Sequence, residues 1–105
     1  MWYQDWTQPL VRPYYLDDAL GRGATPIVTW EPDVAATENE VQPAYALSAI
    51  VAGKYDAYLW AQARAAASYG KPFSVRLGHE MNGDWYSWGA GLNGNTPDLY
   101  VKFWK

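Results

Sequence analysis

Three short runs with strand character recur along this chain, and helical segments separate them. Residues 1 to 6 alternate aromatic and polar side chains. Pro26, Ile27, Val28, Thr29 and Trp30 form a compact β-branched run. Residues 73 to 78 (Phe-Ser-Val-Arg-Leu-Gly) form a third. Between them, residues 15 to 20 predict a short helix closed by Gly21 and Gly23. Alanine dominates Asp56–Tyr69, and Tyr58, Leu59, Gln62, Ala63, Ala66 and Ala67 recur at helical spacing until Gly70. Pro97 predicts the first turn of a last helix over residues 98 to 104, with Asn95 and Thr96 both available as its N-cap. The order strand, helix, strand, helix, strand, helix argues for parallel strands with right-handed crossovers. The acidic, polar residues 33 to 44 predict a loop, and the run Ile50-Val51-Ala52-Gly53 fits either element type.

A doubly wound sheet and a piece of a (β/α)8 barrel both satisfy this α/β order. Polar groups stand just after each strand: Asp5, then Glu31, then His79 and Glu80. In a barrel those positions share the C-terminal rim, where active sites lie, which favours the barrel. A full barrel takes about 250 residues, so 105 supply about three of its eight units. Three such units would leave two open edges and one uncovered sheet face. The expectation is therefore a partial (β/α)8 barrel, with residues 1 to 105 as part of a larger catalytic domain.

The densest chemistry lies in RLGHEMNGDWYSWG, residues 76 to 89. His79 and Glu80 follow the third strand directly, and Trp85, Tyr86 and Trp88 come within the next eight positions. Sugar cleavage needs this combination: a carboxyl group to protonate the glycosidic oxygen, and flat rings to hold the pyranose beside it. A glutamate after a strand is ordinarily a solvated loop residue, and its neighbours are what set Glu80 apart. The 7 Trp and 9 Tyr against 2 Phe point the same way, because Trp and Tyr suit wet binding surfaces as well as cores. Glu31 is a second strand-end carboxylate. A nucleophile must attack from the face opposite the acid, which a neighbouring strand end serves poorly, so Glu31 is expected to line the pocket.

Several classes drop out. The net charge is −3 and the 8 Lys and Arg are scattered, so no basic stripe exists to follow a nucleic acid backbone. There is no cysteine for a disulfide, a thiolate metal site or a thiol nucleophile. His79 is the single histidine, and position 83 is glycine where the zinc-protease pattern needs another, so neither a metal nor any cofactor is expected. Gly21-Arg22-Gly23 precedes a strand rather than following one, which excludes a dinucleotide loop. No GxSxG elbow is present. No apolar run approaches the length of a membrane span, and the first residues lack the pattern of a signal peptide.

HEMNGDWYSWG at 79 to 89 and NGNTPDLYVKFW at 93 to 104 resemble glycoside hydrolase family 26, the endo-β-1,4-mannanases and their relatives. ATPIVTWEP at 24 to 32 and the segment from 53 to 80 fit the same pattern, so the resemblance covers essentially the whole chain. It implies a (β/α)8 barrel and hydrolysis of β-glycosidic bonds with retention. It implies that Glu80 is the acid/base, that His79 lines the cleavage subsite and that Trp85 packs against the sugar. It also implies a secreted monomer acting on β-mannan or another plant polysaccharide. Two departures stand out. Ser87 occupies a position where the pattern has proline, and the nucleophilic glutamate of the family lies downstream of this chain. Two rival readings remain. One is a non-catalytic carbohydrate-binding segment, with Trp30, Trp85, Tyr86 and Trp88 as stacking platforms, or a β-1,3-1,4-glucanase or xylanase relative. The other is an unrelated α/β domain whose tryptophans are core.

Overall fold

The computed structural model describes residues 1–34 and 41–105. Three parallel strands, β1 (Trp2–Asp5), β2 (Ile27–Glu31) and β3 (Ser74–Leu77), form one sheet in the order β1-β2-β3. Trp2 lies beside Val28 and Asp5 beside Glu31, while Trp30 lies beside Leu77. The helices are α1 (Pro13–Gly21), α2 (Leu47–Val51), α3 (Asp56–Tyr69) and α4 (Pro97–Trp104), with a 3-10 turn at Pro43–Tyr45. Of the loop expected over 33 to 44, residues 35 to 40 lie outside the described ones.

The partial (β/α)8 barrel expected from the sequence is not what forms. Instead three parallel strands and four helices pack around one buried core as a small α/β domain, with β1 and β3 as the edges of its sheet. The physical reason is general. Parallel strands in register always bring their C-terminal ends to one side, whether or not the sheet closes. Asp5, Glu31 and His79 share that side here because of the register alone, so their clustering could not select a barrel.

Local sequence explains most element ends. Helix α1 starts at Pro13, whose missing N–H costs nothing in a first turn. It closes where Gly23 turns left-handed at φ 74°, with Gly23 N–H donating to Leu20 O and Ala24 N–H to Ala19 O. Helix α3 runs over the residues its alanine-rich pattern predicts and stops at Gly70, φ 67°. Thr96 caps α4 by accepting from Leu99 N–H at 3.2 Å.

The core is built from large rings. Trp6, Leu10, Leu16, Val28, Trp30, Leu47, Ile50 and Trp88 are buried together. Trp6 sits among Trp30, Tyr55 and Tyr58, with ring centroids 5.3 to 5.6 Å away. Much of the Trp and Tyr excess is therefore structural, contrary to its reading as binding surface. The polar tips of these rings also tie elements together. Tyr58 O–H donates to Gln8 O at 2.9 Å and accepts from Trp30 Nε1–H at 3.3 Å.

Helix α2 is only five residues long and has no cap from its own flanks. Its first N–H, at Leu47, donates to Asn95 Oδ1 at 2.9 Å, 48 residues away. The Asn95 amide donates in turn to Ser87 O at 2.8 Å and to Gly89 O at 3.3 Å. One buried side chain thus joins α2 to the loop that carries His79 and Glu80. Asn95→Ala leaves a buried donor and two carbonyls without this partner. The expected loss is about 2 kcal/mol of folding stability, measured by urea denaturation.

Candidate functional site

The candidate site is the turn that leaves β3. Gly78 (φ 51°) lets the chain reverse out of the sheet, and its carbonyl accepts from Tyr100 O–H at 2.6 Å. His79 is buried and Glu80 is exposed. Glu80 itself lies in the left-handed region at φ 52°, which is rare for a residue with a side chain. Such a conformation costs about 1–3 kcal/mol and persists only where its surroundings enforce it. The enforcing contacts lie on both sides. Trp88 Nε1–H donates to His79 O at 2.7 Å, and Gly83 N–H donates to Glu80 O at 3.0 Å.

The structure brings Glu80, Trp85, His79 and Tyr86 into one group. Trp85 Nε1–H donates to Glu80 Oε2 at 3.1 Å. His79 Nε2 and the Tyr86 hydroxyl are 3.1 Å apart, and their rings lie 4.7 Å apart. Trp85 and Tyr86 are half-buried, so each keeps an accessible surface. Trp88 differs from the other rings of this loop. It is fully buried, stacked on Tyr86 at 4.4 Å and 7°, and shows no face to solvent. It is the floor beneath Tyr86 and His79. Trp30 is likewise in the core, packed on Trp6 and Tyr58.

Glu31 stands at the same end of the sheet, beside Asp5 in register, and is half-buried. Burial raises its carboxyl above the ordinary value of 4.5, and the Asp5 carboxylate adds to the rise while Arg76 opposes it. Asp5 is engaged with Thr7, whose backbone N–H and hydroxyl both donate to Asp5 Oδ1.

Sequence reasoning missed the polar row on the sheet face below His79. Tyr3, Thr29 and Arg76 are register neighbours. Arg76 Nε–H donates to Thr29 Oγ1 at 3.1 Å, and the guanidinium also donates to the Tyr3 hydroxyl at 3.3 Å. The Tyr3 ring meets His79 edge-on at 5.6 Å. The available signal was the period-two placement of Arg76 between Val75 and Leu77.

Burial first, and the Arg76 charge second, push His79 below its ordinary 6.5, with Glu80 pulling the other way. Its Nδ1 is buried without a hydrogen-bond partner among the described residues. The folded protein therefore favours the neutral ring. The native state binds fewer protons than the unfolded chain between 6.5 and the lower folded value. Stability is lost as pH falls through that window. Glu31 has the opposite slope, losing stability as pH rises from 4.5 through its own raised value. The difference between wild type and His79→Gln isolates the histidine. Between pH 7.5 and pH 5.0 the melting temperature of wild type should fall relative to that of the variant.

A shallow apolar groove begins at Met81, next to Glu80 in the chain, and continues over Tyr100, Val101, Trp104 and Lys105. Among the described residues no group of three or more His, Cys, Asp or Glu stands close enough to hold a metal ion. No helix among them is long and apolar enough to cross a membrane.

No family model matches the chain. It is 35% identical over 97 residues to Endoglucanase H of Acetivibrio thermocellus, a match that covers 90% of this chain. The chain spans about a tenth of that protein's length, 10%. This is a glycosidase-related segment.

Proposed function

We propose that this chain carries the acid/base of a retaining endo-glycosidase that acts on a β-linked plant polysaccharide, and that it belongs with glycoside hydrolase family 26. The observation that carries the reading is the Trp85–Glu80 hydrogen bond, 3.1 Å, at the end of a strand. It aims an accessible carboxyl group beside an accessible indole, with His79 and Tyr86 bonded to each other next to them.

In this mechanism protonated Glu80 gives its proton to the leaving glycosidic oxygen. A second carboxylate, supplied from outside these 105 residues, attacks the anomeric carbon. Glu80 then takes a proton from the water that releases the glycosyl-enzyme. Retaining geometry sets the two carboxyl groups about 5–5.5 Å apart. Trp85 and Tyr86 supply stacking and hydrogen-bonding surface for the sugar, and Glu31 lines the pocket. Trp88 serves the same site from below. A polymer of this kind cannot enter a cell, so the enzyme meets it outside, as a secreted monomer.

The backbone sugar is a β-1,4-mannan or a β-glucan. The resemblance of the HEMNG block favours mannan, and the name of the endoglucanase relative favours glucan. The test is a panel of mannan, mixed-linkage glucan and xylan, with the anomer of the first product read by NMR. Release of the β-anomer from one of them supports the reading, and release of the α-anomer overturns retention. The 105 residues alone should bind the chosen oligosaccharide without turning it over.

A further inference from the structure

Gly83 sits between Glu80 and Trp85, and its role is not backbone freedom. It is absent from the residues with positive φ, so its φ does not call for glycine. Space is the constraint. A Cβ at Gly83 would stand 2.5 Å from Trp85 Cε2 and Cζ2 and 2.8 Å from Cη2. Those atoms belong to a rigid bicyclic ring, not to the end of a flexible side chain.

If the ring moved aside, its Nε1–H would be drawn away from Glu80 Oε2. The backbone at Gly83 cannot retreat either. A Cβ at Gly89 would already lie 2.5 Å from Gly83 O, so the two glycine backbones are in close contact. Gly83 N–H is bonded to Glu80 O at 3.0 Å, and Gly89 N–H to Tyr86 O at 2.8 Å. The indole is therefore seated on a bare stretch of backbone that is held from behind.

We propose that Gly83, backed by Gly89, is a positioning residue for the proton donor. By lacking a side chain it seats Trp85 so that the indole N–H holds Glu80 Oε2. Oε1, which makes no hydrogen bond to the described residues, is left to carry the proton. The inference rests on Glu80 being the acid. In the transfer step the Oε1–H bond breaks as the proton joins the glycosidic oxygen. Oε2 becomes the oxygen that keeps a fixed donor throughout. The clamp thus sets which carboxyl oxygen faces the leaving group.

The seating and its catalytic consequence are read separately. In the ¹H–¹⁵N spectrum of the 105-residue chain the Trp85 indole signal is assigned by its loss in Trp85→Phe. Glu80→Gln should shift that signal. Gly83→Ala should shift it too and leave the other six of the 7 indoles in place. A Trp85 signal that ignores Gly83→Ala, or a shift of all seven together, overturns the clamp.

In the active enzyme, Gly83→Ala should lower kcat on unactivated polymer about a hundredfold with little change in KM. It should slow the first step far less on an aryl glycoside with a good leaving group, which needs no proton. Trp85→Phe adds no atom and removes only the N–H and one ring, so it should give the same selective loss even if Gly83→Ala folds poorly. Adding Gly83→Ala to Trp85→Ala should cost nothing further, because the ring it disturbs is gone. Equal losses on both substrates, or additive losses in the double variant, overturn the positioning role. Normal polymer turnover by Glu80→Gln would instead remove Glu80 as the acid, while the indole signal would still decide whether the clamp exists.

Discussion

Glu80→Gln is expected to cut hydrolysis of unactivated β-glycan by about a thousandfold, the middle of the range that general acid catalysis contributes. Glutamine keeps the shape of the side chain and an acceptor oxygen for Trp85 Nε1–H. What it loses is the transferable proton. The defect should therefore follow the leaving group. An aryl glycoside with an acidic phenol leaves without protonation, so its first step should proceed at a near-normal rate. The second step still needs a base to deprotonate water, and the glycosyl-enzyme should accumulate. Azide, which needs no base, should restore turnover and trap the β-glycosyl azide. Near-normal polymer hydrolysis by this variant would take Glu80 out of the mechanism.

Trp88→Ala is expected to have the largest effect on stability. The residue is fully buried, and truncating a buried Trp costs about 3–5 kcal/mol. Small domains hold about 5–15 kcal/mol in all. The variant should lose much of its cooperative unfolding transition, with a melting temperature lower by about 20 °C. Trp88→Phe separates the two roles of the side chain. It keeps a ring under Tyr86 and removes the bond to His79 O, so it should cost about 1–2 kcal/mol. Trp60, 65% exposed, is the control: its replacement by alanine should stay within about 0.5 kcal/mol. A Trp88→Ala variant as stable as wild type would mean that the ring is not the floor of the site.

These two residues also show what the sequence could and could not convey. Helix α3 was legible because alanine-rich periodicity and a terminal glycine are local signals. The strands, helix α4 and the long loop from 79 to 96 were legible for similar reasons. The neighbourhood of His79 and Glu80 was legible because the residues are adjacent in the chain. The closure of the sheet was not, since strand–helix alternation is the same in open and closed parallel sheets. Helix α2 was ambiguous because Asn95, the side chain that caps it, lies 48 residues downstream. The division of labour among the tryptophans was hidden as well. Trp85 and Trp88 are three residues apart in one motif, yet one lies partly open beside Glu80 and the other is core. Nothing in residue type distinguishes a platform from a floor.

The ring-built core has a spectroscopic consequence. Trp6, Trp30 and Trp88 are enclosed by apolar neighbours, and Tyr55 and Tyr58 lie close enough to Trp6 to pass excitation to it. Three of the 7 indoles are therefore interior emitters that report on folding, beside Trp60 and Trp104 at the surface. Quenching by a sugar at Trp85 would be a small change on that background. Ligand titrations by fluorescence become informative once a single reporter remains at position 85.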